Sequence, residues 1–327
     1  MDARVLGFVL SEKCNFRCRH CFNESEARKP AGMGADELLE HVRDAAATGR
    51  FAEIGLSGGE PMLFARALVR VVALAHELGL GANVTTNGYW GVSARTAHAT
   101  LGPLVDAGLT ALTVSVSEFH LEFTTGARLR TAVAAALGLG LEVRVNVVRT
   151  RAFDVADAAA LLGPLADRVD VVAMPCIPVG RGAVAVSRDD LPAAVSPVGS
   201  CHAYFTRVAV TAEGDVYPCC SPGGFTPPLL MGNVRVETIG TVLARADDSF
   251  LLQVLDQLGP TFFLPFVHEA LGRDLLAEGV VDQCHLCHRL LTDAALTAVV
   301  DDALATLEAD LRALQVDLVD LREVARR

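Results

Sequence analysis

Six short β-rich runs alternate with five helical patterns over the first half of the chain, and this alternation restricts the fold more than any other feature. The runs are Val5–Leu10, Glu53–Leu56, Ala82–Thr86, Ala111–Val116, Glu142–Val148 and Val169–Met174. Between them lie Ala35–Ala47, Phe64–Leu78, Ser93–Ala107, Arg128–Leu139 and Val155–Leu162. Apolar residues recur there at helical spacing, as Leu38, Leu39, Val42 and Ala46 do. Gly49, Gly79, Gly108 and Gly140 stand where a C-cap glycine belongs. Strands separated by helices require right-handed crossovers and a parallel sheet, either open and doubly wound or part of a barrel. In both, reactive groups gather at the carboxyl ends of the strands.

The pattern breaks around Pro175–Pro197, where Pro175, Pro178, Pro192 and Pro197 crowd together with Gly180 and Gly182. That composition suits a link between domains. Residues 201–290 are rich in Pro, Gly and Cys and only weakly periodic. The last segment, Leu291–Arg327, reads as a helix with Leu304, Leu307, Leu311, Leu314, Leu318 and Leu321 in a heptad seam. About three heptads favour packing on the chain's own body, with a dimer through this helix as the other reading. The expected units are residues 1–195, 196–290 and 291–327.

The 327 residues are enough for about two domains. No run approaches the roughly 18 uninterrupted apolar residues of a membrane helix. Asp2 and Arg4 precede a short apolar run broken by Glu12 and Lys13, which makes neither a signal peptide nor an anchor. A soluble, cytoplasmic protein without membrane association is expected. A net charge of −11 argues against broad nucleic-acid binding, which needs a basic face. Nine cysteines without an export signal point to metal or redox chemistry rather than disulfides.

Three of these, Cys14, Cys18 and Cys21, fall within eight residues directly after the first strand. Three thiolates on one loop suit three corners of a cubane cluster and leave the fourth iron free. Phe16 offers an apolar cover. Zinc is the alternative, with His20 as its fourth ligand. The spacing C-x3-C-x2-C after strand one resembles the signature of the radical S-adenosylmethionine (SAM) superfamily. Three further segments extend the resemblance, each at the end of a strand. Ser57-Gly58-Gly59-Glu60-Pro61 resembles the superfamily's GGE motif, Thr85-Thr86-Asn87-Gly88 its T-N-G segment, and Ser115-Val116-Ser117-Glu118-Phe119-His120 its ribose- and methionine-contacting region. The resemblance implies a partial (β/α)6 barrel over residues 1–195 and SAM held by Gly58, Gly59, Glu60, Thr86, Asn87, Ser115 and Ser117. It also implies a [4Fe-4S] cluster on Cys14, Cys18 and Cys21, and an electron donor such as a flavodoxin or ferredoxin. Glycine suits the GGE turn because backbone there is expected to approach the ligand closely.

Further on come Cys201, Gly214-Asp-Val-Tyr-Pro-Cys219, and Cys284-His-Leu-Cys287. This order is similar to the SPASM/Twitch extensions of peptide-modifying radical SAM enzymes, and Pro178-Val-Gly-Arg181-Gly182 to the P-x-G-R segment preceding them. Four thiols imply one auxiliary [4Fe-4S] cluster on Cys201, Cys219, Cys284 and Cys287. A structural Zn(Cys)4 site satisfies the same spacing, and His285 and His288 are not needed as ligands. Cys220 and Cys176 remain. A buried cysteine is often only a small hydrophobe, but a thiol near a radical can return a hydrogen atom to carbon. The Cys219-Cys220 pair, with Phe262-Phe-Leu-Pro265 and Cys284-His-Leu-Cys287-His288, resembles radical SAM peptide epimerases of the epipeptide type. That likeness makes Cys220 the donor, with Cys176 the weaker candidate, and implies a precursor peptide substrate inverted from L to D at Cα. Thioether or C–C crosslinking, oxidation of a small substrate, and a non-catalytic iron–sulfur or zinc scaffold are the other readings; the GGE and T-N-G segments speak against a scaffold. Residues 1–4 leave no room for a leader-recognition domain, so recognition is expected at the barrel mouth, the second domain, the C-terminal helix or a separate partner.

Overall fold

The computed structural model describes residues 4–194 and 199–314. One nine-stranded sheet organises the molecule, in the order β6-β5-β4-β3-β2-β1-β7-β8-β9. Its first six strands are β1 (Val5–Val9), β2 (Glu53–Ser57), β3 (Gly81–Thr86), β4 (Ala111–Val116), β5 (Glu142–Arg149) and β6 (Asp170–Pro175). All neighbours among these six pair in parallel. This is the partial (β/α)6 barrel, with the expected strands displaced by no more than a residue or two.

Period-two patterning gives each strand two faces. Leu6, Phe8, Ile54, Leu56, Leu112, Val114, Val145 and Val147 are buried against the surrounding helices. Helix Ala35–Ala47 answers with Leu38, Leu39 and Val42, and helix Ala65–Glu77 with Leu68, Val71 and Val72. Each such side chain contributes about 1.5–3 kcal/mol on full burial. Ser93, Thr125 and Asp154 accept backbone N–H bonds that open the helices beginning at Ala94, Gly126 and Val155. Gly49, Gly79, Gly108 and Gly140 all have positive φ and end the preceding helices.

The sheet does not stop at the proline-rich stretch. β7 (Arg207–Val210) returns to the far edge and pairs in parallel with β1, and β8 (Asp215–Tyr217) and β9 (Gly232–Asn233) continue antiparallel. The expected boundary at 195/196, and Pro197, lie outside the described residues. Helix Gln283–Thr292 carries Cys284 and Cys287, and helix Ala294–Leu314 follows. Leu296, Val299, Val300, Ala303 and Leu311 of the latter are buried on the chain's own body, while Leu314 is exposed. Leu318 and Leu321 of the seam lie outside the described residues. Among the described residues no single helix is long and apolar enough to cross a membrane.

Candidate active site

The loop after β1 brings Cys14, Cys18 and Cys21 to the carboxyl ends of the parallel strands. There they line a common cleft. Gly58 and Gly59 after β2, Thr86 and Asn87 at the end of β3, Ser115 of β4 and Cys176 after β6 line it too. Cys14 Sγ accepts from the Phe16 N–H at 3.3 Å and the Asn87 amide at 3.8 Å, and Cys21 Sγ from the Ser25 N–H at 3.4 Å. Phe16 is buried and stacks on Phe123 with ring centroids 5.3 Å apart. Burial pushes the Cys14 thiol up to about 11 and Cys18 higher still. Such thiols ionise only beside a cation, and the N–H groups aimed at sulfur suit bound thiolates.

Two straps hold this loop. The Gly59 N–H donates to Ser11 O at 2.6 Å and the Glu60 N–H to Lys13 O at 2.9 Å. Gly58 has φ +141°, and a Cβ on Gly59 would collide with the Lys13 carbonyl. The glycines are thus required by the close approach of the cysteine loop, not only by a ligand. On the other side the Arg181 guanidinium donates to Cys18 O and to Ser25 O, both at 2.9 Å, and its N–H donates to Cys21 O. Gly180, at φ +55°, leaves no room for a Cβ against Phe22 O. The P-x-G-R segment is therefore the second strap.

Glu60 and Ser117 sit behind the lining rather than on it. Glu60 is fully buried and accepts from the Thr86 hydroxyl at 2.8 Å, the Asn87 N–H at 2.7 Å and the Met62 N–H at 3.0 Å. Burial lifts its carboxyl to about 7 against the pull of these three donors. Ser117 Oγ lies 2.8 Å from His120 Nδ1. His120, held neutral by burial at about 4, meets His20 edge-on at 4.9 Å between centroids, and both face the cleft. His20 Nδ1 has no hydrogen-bond partner. Sequence reasoning considered His20 only as a zinc ligand and missed its pairing with His120, which requires the loop and the end of β4 to meet.

The second cysteine set also converges. Burial raises Cys201, Cys219, Cys284 and Cys287, and each of the last three is raised further by charge on others of the set. The Ala203 N–H bonds Cys201, the Ser221 N–H bonds Cys219 and the Ser221 side chain bonds Cys284. Gly223 and Gly224 pass so close that a Cβ on either would strike the Cys284 carbonyl or Cys219 Sγ. His285 Nδ1 is taken by the Val281 N–H at 3.1 Å, and His288 faces a different cleft. Cys220 is exposed and lines a second cavity inside the sheet.

Comparison with known proteins places this geometry. Residues 8–147 match the radical SAM superfamily, and residues 201–249 match SPASM, an iron-sulfur cluster-binding domain. The chain thus carries a radical SAM domain and a SPASM domain; the first implies SAM and a [4Fe-4S] cluster, and the second implies additional iron–sulfur clusters. It is 21% identical over 272 residues to a putative peptide biosynthesis protein, YydG, of Bacillus subtilis (strain 168), covering 82% of this chain and 85% of that one. It is 32% identical over 172 residues to the GTP 3',8-cyclase of Paenarthrobacter nicotinovorans, covering 49% of this chain and 46% of the cyclase. It is 37% identical over 109 residues to the PqqA peptide cyclase of Methylorubrum populi (strain ATCC BAA-705 / NCIMB 13946 / BJ001), covering 33% and 26% respectively. The chain thus spans about half of the GTP cyclase and a quarter of the peptide cyclase.

Proposed function

We propose that this enzyme inverts a residue of a ribosomally made precursor peptide from L to D at Cα. In this reading Cys14, Cys18 and Cys21 hold the catalytic cluster, and Cys201, Cys219, Cys284 and Cys287 an auxiliary one. When bound, SAM and the reduced cluster supply a 5′-deoxyadenosyl radical that removes a hydrogen atom from an unactivated C–H bond. Gly58, Gly59, Thr86, Asn87 and Ser115 line the place for SAM, with Glu60 and Ser117 fixing them from behind.

The observation that carries the proposal is a waist between two cavities. Phe22, Ser57, Thr85, Asn146, Met174 and Pro222 line both the cleft of the cysteine loop and the cavity inside the sheet. The residues resembling SAM motifs face the first, and Cys220 faces the second. A Cα held at the waist is open to hydrogen removal on one side and to a thiol on the other, which is what inversion requires. Cys176 lies in the first cleft, on the side of removal, and burial keeps it a thiol at about 12. The Cys220 S–H bond breaks as the new Cα–H bond forms. The thiyl radical left behind takes one electron and one proton before the next turnover, the electron coming from a flavodoxin- or ferredoxin-type donor. Two relatives named for work on peptides support the substrate class. The reducing cytoplasm suits these free thiols.

Turnover of the precursor peptide in deuterated water tests the reaction. The expected product carries a single deuterium at one Cα, with its connectivity unchanged. A crosslinked product, lighter by a pair of hydrogen atoms, would overturn inversion.

A further inference from the structure

The cavity inside the sheet has a volume of about 600 Å³ and is partly open to solvent. It reaches from Val5, Glu53, Glu142 and Asp170 at the starts of the strands to Ser57 and Thr85 at the waist. That is the length of a five-residue strand, about 17 Å at ~3.3 Å per residue. Pockets for compact small molecules usually span about 300–1,000 Å³. This one falls within that range of volume but is drawn out along the strands, and it opens onto the reaction site.

In a closed eight-stranded (β/α) barrel the interior is filled by layers of branched apolar side chains; this sheet is open, and its inner face is partly polar. Here Glu53 is bonded to Asn83, and the Thr113 hydroxyl donates to Asn83 Oδ1 at 3.2 Å, forming a polar belt across β2, β3 and β4. Gly7 and Gly55 face the same space, paired in register on adjacent strands. Neither has the positive φ that demands glycine. A Cβ at Gly7 would meet its nearest neighbour at 3.6 Å and one at Gly55 at 3.5 Å, both ordinary contacts. The fold does not force these positions to be empty. Glycine inside a strand often marks the close approach of another backbone.

We infer that this cavity is a threading site that holds the residues flanking the inverted one as an extended peptide. Its main chain lies over Gly7 and Gly55, and its N–H and C=O groups exchange hydrogen bonds with Glu53, Asn83 and Thr113. About five extended residues fit the length, at ~3.3–3.6 Å each. The inference deepens the proposed function and rests on its peptide substrate.

Disulfide tethering at Cys220 tests the site without turnover. Anaerobically reconstituted holoenzyme is equilibrated, under a mild thiol buffer, with disulfide-capped tetrapeptides of small residues and with polyether caps of equal length. Capture is read by mass spectrometry and mapped to Cys220. The tetrapeptides are expected to out-compete the polyethers by about tenfold, or about 1.4 kcal/mol. Gly55→Val and Asn83→Ala are each expected to erase that advantage while keeping wild-type iron content and wild-type capture of the polyether. Equal capture of both caps by the wild type, or a preference that survives both variants, overturns the inference. Cα deuteration is read separately, so a failed tether with intact inversion removes the threading site alone.

Discussion

Arg181 shows how much of this site depends on residues that touch no reacting atom. Its guanidinium bridges two carbonyls of the cysteine loop, Cys18 O and Ser25 O, in a planar fork. Lysine presents a point charge and cannot reproduce that geometry. Arg181→Lys is expected to lose iron to a chelator faster than the wild type and to release less 5′-deoxyadenosine. Iron release followed optically at fixed chelator checks this, and a wild-type rate would remove Arg181 from the loop's support. The cysteines and the GGE and T-N-G segments were legible in the sequence because their spacing is local. The pairing of His20 with His120, and the burial of Glu60 behind the cleft, were not, because both arise from contacts between distant loops.

At the level of elements, the strands and helices of the barrel were legible because period 2 and period 3.6 alternate cleanly and glycines mark the helix ends. The inward faces of those strands were not. Glu53, Asn83, Thr113 and Arg144 line a cavity that exists only because the sheet curves, which no local pattern announces. β7, β8 and β9 escaped notice because four, three and two residues are too short for periodicity to register. The helix carrying Cys284 and Cys287 has its own anchor. Glu278 accepts from Arg273 at 2.7 Å and also pairs with Arg289 of that helix. The two guanidinium groups hold the Glu278 carboxyl down at about 2 from an ordinary 4.5. A depressed carboxylate stabilises the fold fully above its unfolded value and loses that contribution as pH falls through the folded one. Solvent screens this exposed pair, so the effect is modest. Thermal unfolding from neutral pH down to about pH 3 is expected to lack part of its acid slope below 4.5 in Glu278→Gln. An unchanged slope would count against the pairing.

For the whole molecule, one continuous sheet joins both cysteine sets. Arg50 reinforces that joint across the sequence, donating to both carboxylate oxygens of Asp247 at 2.8 Å. The strand order lets Cys220, far from Cys14 in sequence, line a cavity that shares its waist with the cysteine loop's cleft. No pattern within either segment could announce that meeting. The central claim is that hydrogen is removed on one side of the waist and returned by Cys220 on the other. Cys220→Ala, given SAM, reductant and precursor peptide in deuterated water, measures it most directly. The account predicts 5′-deoxyadenosine at the wild-type rate with no deuterated D-residue. Normal inversion by this variant would contradict it.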